Sequence, residues 1–397
     1  MRLTGTTAMG IRLPIIGQGD DLASIVANHV LQVTKTAPLK ETDVIAVTEA
    51  IVAKADGNFA SEADIAADIK AKYGDVEVGL VFPMLSRNRF LSVLKGIAGG
   101  TKKLHVLLSY PHDEVGNPIM DISRLDEITD ALPPRMVTAA EFKAAAGDFI
   151  HPFTGIDYLR LYQEAGDNIA LYLSNDPRDI LKLTPHVLVG EIHTRFITQE
   201  RLIKAGAKTV YTLSDILSES INGSGYNAQY GVLGSNLSGT NEAGVGMLKL
   251  FPSRSQEFVA RLQSLLQEKT GVSPEVMVYG DGAFKDPVCG IWELADPVVS
   301  PGYTPKLGGK PHEVKIKLIA DTVAAGLTGE EHRDAQRKAV ESAIKSKSDN
   351  PDAFRDGTTP RIYADLLGSL CDLIGGSGDK GTPVVLVRGY FDDYTTE

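Results

Sequence analysis

The sequence predicts an α+β, or mixed α/β, fold. Short apolar segments typical of strands are interspersed with short amphipathic helices, without a strict β-α-β repeat. The clearest helix, over residues 255–271, places Phe258, Leu262, Leu265 and Leu266 on one face and ends at a glycine. The composition, 43% hydrophobic and 23% charged, is that of an ordinary globular protein.

The other elements can be assigned in order from local signals. Asp20 and Asp21 are good N-cap residues and predict a first helix. Ser61 and Asp64 have the spacing of a capping box and predict a second helix. Strands are predicted over 43–48, 76–85, 102–111, 185–192, 207–213, 274–282 and 382–389, and further helices over 139–149, 330–349 and 362–376.

Charge and cysteine content exclude several classes of function. The net charge is −11 without a basic cluster, so nucleic acid is not an expected partner. Two cysteines, Cys289 and Cys371, exclude a disulfide framework and suit a reducing cytoplasm. No run of about eighteen apolar residues occurs, so we expect no membrane span. These features predict a cytoplasmic globular protein.

Two glycine-containing turns carry polar residues of chemical interest. The loop GGSGDKGTP, residues 375–383, lacks the G-K-[S/T] of a P-loop and lies between a helix and a strand. It is most simply a connection, although its backbone N–H groups and Lys380 suit a polyphosphate. Asp281 and Asp286 follow a strand, where carboxylates suit a hard divalent cation. They are equally well explained as ordinary turn residues.

A second group of polar residues has the composition of a metal site. His112 and Asp113 lie in SYPHDE, and His193 lies in GEIHT. Neither motif has a partner cluster at metal-ligand spacing, which favours structural polar residues. A metal-dependent hydrolase that uses these three residues is the weakest of three functional hypotheses.

Three longer segments stand out when they are taken in order. The first joins LPIIGQGDDLASIV to DVIAVTEAIVAKADG, the second joins YNAQYGVLGSN to VMVYGDG, and the third is YADLLGSLCDLIGGSGDKGTPVVLVRG. Together they resemble the coenzyme F-420 γ-glutamyl ligases, which add glutamate to a deazaflavin precursor using GTP. The similar segments span roughly 8–58, 207–300 and 359–394.

The resemblance implies a nucleotide site. Lys54 matches a family lysine and would face the phosphates, with Asp281 as the second catalytic residue. The family's Ser-Lys pair falls on Glu49 and Ala50, so one phosphate-binding lysine is missing. Nucleotide contacts are implied for Leu13, Pro14, Ile15, Ile16, Thr48, Glu49, Lys54, Asn236, Gly375, Gly376, Ser377, Gly378 and Lys380.

The resemblance also implies a site for Mg²⁺ or Mn²⁺. One family aspartate is replaced by Leu233, and the second is kept as Asp281. Asp286 and Asp379 are the other candidate ligands, with Glu293 as a further substitute. The metal site is therefore expected to be rebuilt or partly lost.

The leading hypothesis is a GTP-dependent (or ATP-dependent) and metal-dependent ligase. It would form a γ-glutamyl-type amide on a small carboxylate through an acyl phosphate, with glutamate as the amine, and it would be a homodimer. The alternative is a ligase-like protein that binds a nucleotide or metabolite without ligation. The implied organisation is a ligase-like 1–74, an inserted or diverged 75–206, a ligase-like 207–300, an insertion at 301–358 and a ligase-like 359–397.

Overall fold

The computed structural model describes most of the chain and confirms a mixed α/β fold with several sheets. The described residues are 3–240, 246–280, 283–285, 292–294, 299–310, 322, 329–349, 361–375 and 381–392.

Helices of the described ranges begin and end as follows. They are α1 (Leu22–Val33), α2 (Glu49–Asp56), α3 (Glu62–Tyr73), α4 (Leu91–Gly99), α5 (Leu125–Ala131), α6 (Ala139–Ala146), α7 (Tyr158–Gln163), α8 (Arg195–Lys204), α9 (Ser255–Thr270), α10 (Gly329–Asp349) and α11 (Tyr363–Gly375). Short 3-10 turns span Ile122–Arg124, Pro177–Lys182, Leu213–Asp215 and Pro305–Gly308.

Strands of the same ranges are β1 (Thr7–Ile11), β2 (Val44–Thr48), β3 (Phe59–Ser61), β4 (Glu77–Val81), β5 (Lys103–Leu108), β6 (Val137–Thr138), β7 (Ile169–Leu173), β8 (His186–Val189), β9 (Thr209–Thr212), β10 (Asn236–Thr240), β11 (Gly246–Lys249), β12 (Glu275–Gly280), β13 (Ala283–Lys285), β14 (Trp292–Leu294), β15 (Val299–Tyr303) and β16 (Val384–Arg388).

A five-stranded sheet has the order β1-β16-β2-β12-β15 and takes its strands from the N-terminal, central and C-terminal parts of the chain. β2 and β12 are parallel, whereas the other neighbours are antiparallel. Alternate residues of β2 face opposite sides, because side chains alternate along a strand. Ile45 and Val47 pack in the cluster of α1 and α9, and Val44 and Ala46 pack in the cluster of α11. Helices therefore cover both faces of this sheet.

Residues 77–212 form a separate six-stranded sheet with the order β6-β7-β5-β4-β8-β9. All of its neighbouring pairs are parallel except β6 with β7. The elements nevertheless do not alternate strictly, because two helices lie between β6 and β7 and only a 3-10 turn lies between β7 and β8. The strands are short and their connections are uneven in length, so the sequence does not show the parallel pairing.

The signals for helix ends are confirmed by the geometry of the caps. The carboxylate of Asp21 accepts from the N–H of Ser24 at the start of α1. Ser61 and Asp64 form the predicted capping box of α3. Gly271 ends α9 in the left-handed conformation at φ 75°, which glycine adopts without strain. No helix of the described residues is long and apolar enough to cross a membrane.

Candidate functional site

The parallel pairing of β2 and β12 places two strand ends side by side. Thr48 lies opposite Tyr279, so Glu49 and Gly280 follow at the same edge of the sheet. A Cβ atom built on Gly280 would lie 2.0 Å from Cγ of Glu49, so a larger residue would occupy the space of that side chain. Asp281 follows Gly280 directly in sequence and lies outside the described residues.

A buried ion pair lies at this edge. The ammonium of Lys249, the last residue of β11, donates to both carboxylate oxygens of Glu49, with 2.5 Å between Nζ and Oε2. The side chain of Lys249 is 10% exposed and that of Glu49 is 7% exposed. Asn236 pairs directly with Lys249 between β10 and β11, so the two side chains project from the same face of that sheet. Two residues of the implied nucleotide site, Glu49 and Asn236, are therefore both neighbours of Lys249.

The two ends of the glycine-containing loop 375–383 lie at the same edge. The hydroxyl of Tyr279 would be 2.7 Å from a Cβ atom at Gly375. At the other end, Pro383 accepts a hydrogen bond of 2.9 Å from the backbone N–H of Thr48. The loop therefore leaves and rejoins the fold beside the carboxyl ends of β2 and β12. Gly376, Ser377, Gly378, Asp379 and Lys380 themselves lie outside the described residues.

The segment 13–16 begins near the same place. Ile11, at the end of β1, pairs with Val384 at the start of β16, and β16 starts beside the carboxyl end of β2. Ile16 is buried, Leu13 is half-buried, and Pro14 and Ile15 are exposed. The segment thus offers exposed apolar side chains next to the strand ends.

Lys54 occupies a different position from the buried pair. It is exposed and lies in the last turn of α2, five residues after Glu49. Five residues correspond to a rotation of about 140° around a helix. Lys54 therefore projects from another side of α2, and its contact with phosphate stays a prediction.

Leu233, where the resemblance implies a metal-binding aspartate, is part of the hydrophobic core. Leu233 is 6% exposed and packs in the cluster that includes Val232 and Leu248. Within the described ranges, no group of three or more His, Cys, Asp or Glu side chains is placed to hold a metal ion. Asp286 lies outside those ranges, and the side chain of Glu293 is not described. The described residues therefore do not form a metal site on their own.

The residues of the hydrolase hypothesis have other hydrogen-bond partners. The carboxylate of Asp113 accepts from the backbone N–H groups of Leu85, Val115 and Asn117 at 2.8, 3.1 and 2.8 Å, and burial raises its pKa. His193 contacts Glu114 instead, at 3.0 Å. These contacts tie neighbouring loops together, which supports the structural interpretation.

Sequence reasoning missed Lys249 as the partner of Glu49. The available signal was a lysine between two leucines, Leu248 and Leu250, in the apolar run MLKLF. Burying a charge in such an apolar run costs free energy unless the charge has a partner of opposite sign. The partner, Glu49, is 200 residues away in the chain, so only the fold identifies it.

The comparison with known families extends the similarity over almost the whole chain. Residues 10–389 match the family described as F-420-0:gamma-glutamyl ligase. This span includes both regions that lie between the three similar segments. A search of curated proteins returned no match.

Proposed function

The chain belongs to the F-420-0:gamma-glutamyl ligase family, and on that premise we propose that it uses GTP or ATP to join glutamate to a small-molecule carboxylate. The observation that carries the proposal is the common edge of the five-stranded sheet. Three of the segments implied in nucleotide binding, residues 13–16, residues 48–49 and the loop that follows Gly375, begin or end at this edge.

The proposed reaction has two steps. A carboxylate oxygen of the acceptor attacks the γ-phosphorus of the nucleotide, and the nucleoside diphosphate leaves with the electrons of the broken P–O bond. The amine nitrogen of glutamate then attacks the acyl carbon of the resulting acyl phosphate. Inorganic phosphate leaves, and the nitrogen loses a proton to solvent as the amide forms. Cations facing the phosphates would stabilise the charge that develops in both steps.

The protein's own residues have distinct parts in this proposal. Asn236 would bind the nucleotide, and Lys54 would approach the phosphates from the exposed side of α2. The loop that begins after Gly375 would cover the nucleotide, with Lys380 adding a positive charge. Since the protein carries a net charge of −11, such local cations are needed to hold a polyphosphate.

The proposal also includes a divalent ion, whose proposed ligands lie outside the described residues. Asp281, Asp286 and Asp379 are the residues that would hold Mg²⁺ or Mn²⁺, and the ion would neutralise negative charge on the phosphates. Asp281→Asn keeps the shape of the side chain and removes its charge. It should lower the affinity for Mn²⁺ sharply, whereas a turn aspartate would tolerate the change.

Calorimetry and phosphate release test the function together. We expect GTP or ATP to bind in a manner that depends on Mg²⁺ or Mn²⁺. We also expect phosphate release that requires both glutamate and a carboxylate acceptor. Absence of nucleotide binding under all of these conditions would contradict the proposal. The proposal includes a homodimer, which light scattering at micromolar concentration tests.

A binding protein without ligation is the second candidate function. The observation that favours it is Leu233, because a core leucine replaces a carboxylate that the family uses for metal. This candidate predicts nucleotide binding that is independent of metal, with no phosphate release in the presence of glutamate and an acceptor.

A further inference from the structure

The Glu49–Lys249 ion pair lies beside Ala50, the position at which the resemblance implies a phosphate-binding lysine. That lysine would occupy position 50, next to Glu49, but the chain has Ala50 there. Lys249 reaches Glu49 from β11, a strand of another sheet. The chain therefore has a lysine ammonium on the residue next to Ala50, supplied from elsewhere in the sequence.

The pair is not explained by stability. Burying two charges costs free energy, and well-packed apolar residues of similar volume are often at least as stabilising. Both side chains are at most 10% exposed, so the cost of removing them from water applies to each. A role in binding an anion would account for a cation in this position.

The geometry around the ammonium suits a phosphate group. Glu49 is the first residue of α2, where the helix dipole favours negative charge. Asn236 lies across from Lys249, and Gly280 packs against Glu49 at the end of β12. A lysine ammonium has three N–H groups, and as far as the described residues show, two of them donate to Glu49. The third is left for an oxygen of a ligand.

We propose that Lys249 is a phosphate-binding cation of this site and that Glu49 is the residue that positions it. This inference rests on the proposed nucleotide-dependent reaction. Lys249 binds a phosphate oxygen of the nucleotide, and Glu49 holds the ammonium beside the ends of β2 and β12. The side chain thus supplies the positive charge that position 50 lacks.

The test compares variants that separate charge from packing. Removing Lys249 alone would leave Glu49 buried and unpaired, so the informative variant is the double substitution Glu49→Met with Lys249→Met, which keeps the volume and removes both charges. Glu49→Gln retains the ammonium and a hydrogen-bonding neighbour. Lys269→Met is the matched control, because Lys269 is exposed at the end of α9 that leads into the amino end of β12.

Affinities for GTP, ATP and inorganic tripolyphosphate are measured by calorimetry, with thermal unfolding to verify the fold. We expect the double variant to bind each phosphate ligand at least about tenfold more weakly. Glu49→Gln, which keeps the ammonium but positions it less firmly, should lose less affinity than the double variant. A purely structural pair would instead give equal losses in both variants, or none.

Two results would overturn the inference in different ways. A folded double variant that binds GTP or ATP as tightly as the parent would remove Lys249 from the site and leave the proposed function intact. A parent protein that binds none of the three ligands, with or without Mg²⁺, would overturn the inference together with the proposed function.

Discussion

Gly280 and Glu49 are in direct contact at the carboxyl ends of two parallel strands, and the glycine leaves the space that the glutamate fills. A Cβ atom at position 280 would come within 2.0 Å of Cγ of Glu49. Because Glu49 also holds Lys249, this contact connects the end of β12 to the buried ion pair. Changes at Gly280 should therefore disturb the site as well as the packing.

Gly280→Ala should destabilise the protein by about 1–3 kcal/mol, because the added methyl group forces Glu49 to move in a packed interior. Chemical denaturation measures the change in the free energy of unfolding. Gly99→Ala is the control, since its Cβ atom would make only an ordinary contact of 3.4 Å with Ala66. Equal stabilities of the two variants would show that Glu49 can move away freely.

Lys54→Ala should lower the affinity for nucleotide by about three- to tenfold and leave the melting temperature unchanged. An exposed lysine contributes little to stability, so a loss of affinity would report a contact with phosphate. Calorimetry with GTP measures the affinity, and Lys70→Ala, at an exposed position in the last turn of α3, is the control. Unchanged affinity in Lys54→Ala would exclude this residue from the nucleotide site.

Leu233→Asp introduces the carboxylate that the resemblance implies at this position, but it should not create a metal ligand. The side chain is 6% exposed within the core, so the charge should cost about 3–5 kcal/mol of stability. Denaturation and titration with Mn²⁺ measure the two effects. Leu237→Asp, at a position that is 43% exposed, should be tolerated. A stable Leu233→Asp variant with increased Mn²⁺ affinity would contradict this account of position 233.

Glu141→Gln should reduce the dependence of stability on acid pH. The hydrogen bond from Arg135 and the capping contacts of Thr138 lower the pKa of Glu141 from 4.5 to about 2. A carboxyl whose pKa is lower in the folded state stabilises the fold above its unfolded pKa, and this contribution disappears as the pH falls toward the folded pKa. The parent should therefore melt above the variant at neutral pH, with the difference closing between pH 4.5 and about 2.

Melting temperatures of the parent and Glu141→Gln across that pH range test the prediction. Glu268→Gln makes the same change of charge on an exposed face of α9 and serves as the control. A difference between parent and Glu141→Gln that is constant from pH 7 to pH 2 would assign the effect to something other than ionisation of Glu141.

The sequence by itself determined the local features and the family. The capping box of Ser61 and Asp64, the cap of α1 at Asp21 and the end of α9 at Gly271 depend on residues within a few positions of each other. Such short-range signals can be read directly from the order of residues. The similar segments likewise predicted the family that matches residues 10–389.

Only the tertiary structure decided which distant residues lie together at the edge of the five-stranded sheet. The largely parallel sheet of residues 77–212 was missed because the connections between its strands differ in length. The sequence therefore shows no regular spacing that would indicate which strands pair. The pairing of Glu49 with Lys249, and of Lys249 with Asn236, was missed for the same reason. Long-range contacts depend on how whole helices and strands pack. A buried charge needs a partner of opposite charge close by in space, and that partner can be far away along the chain.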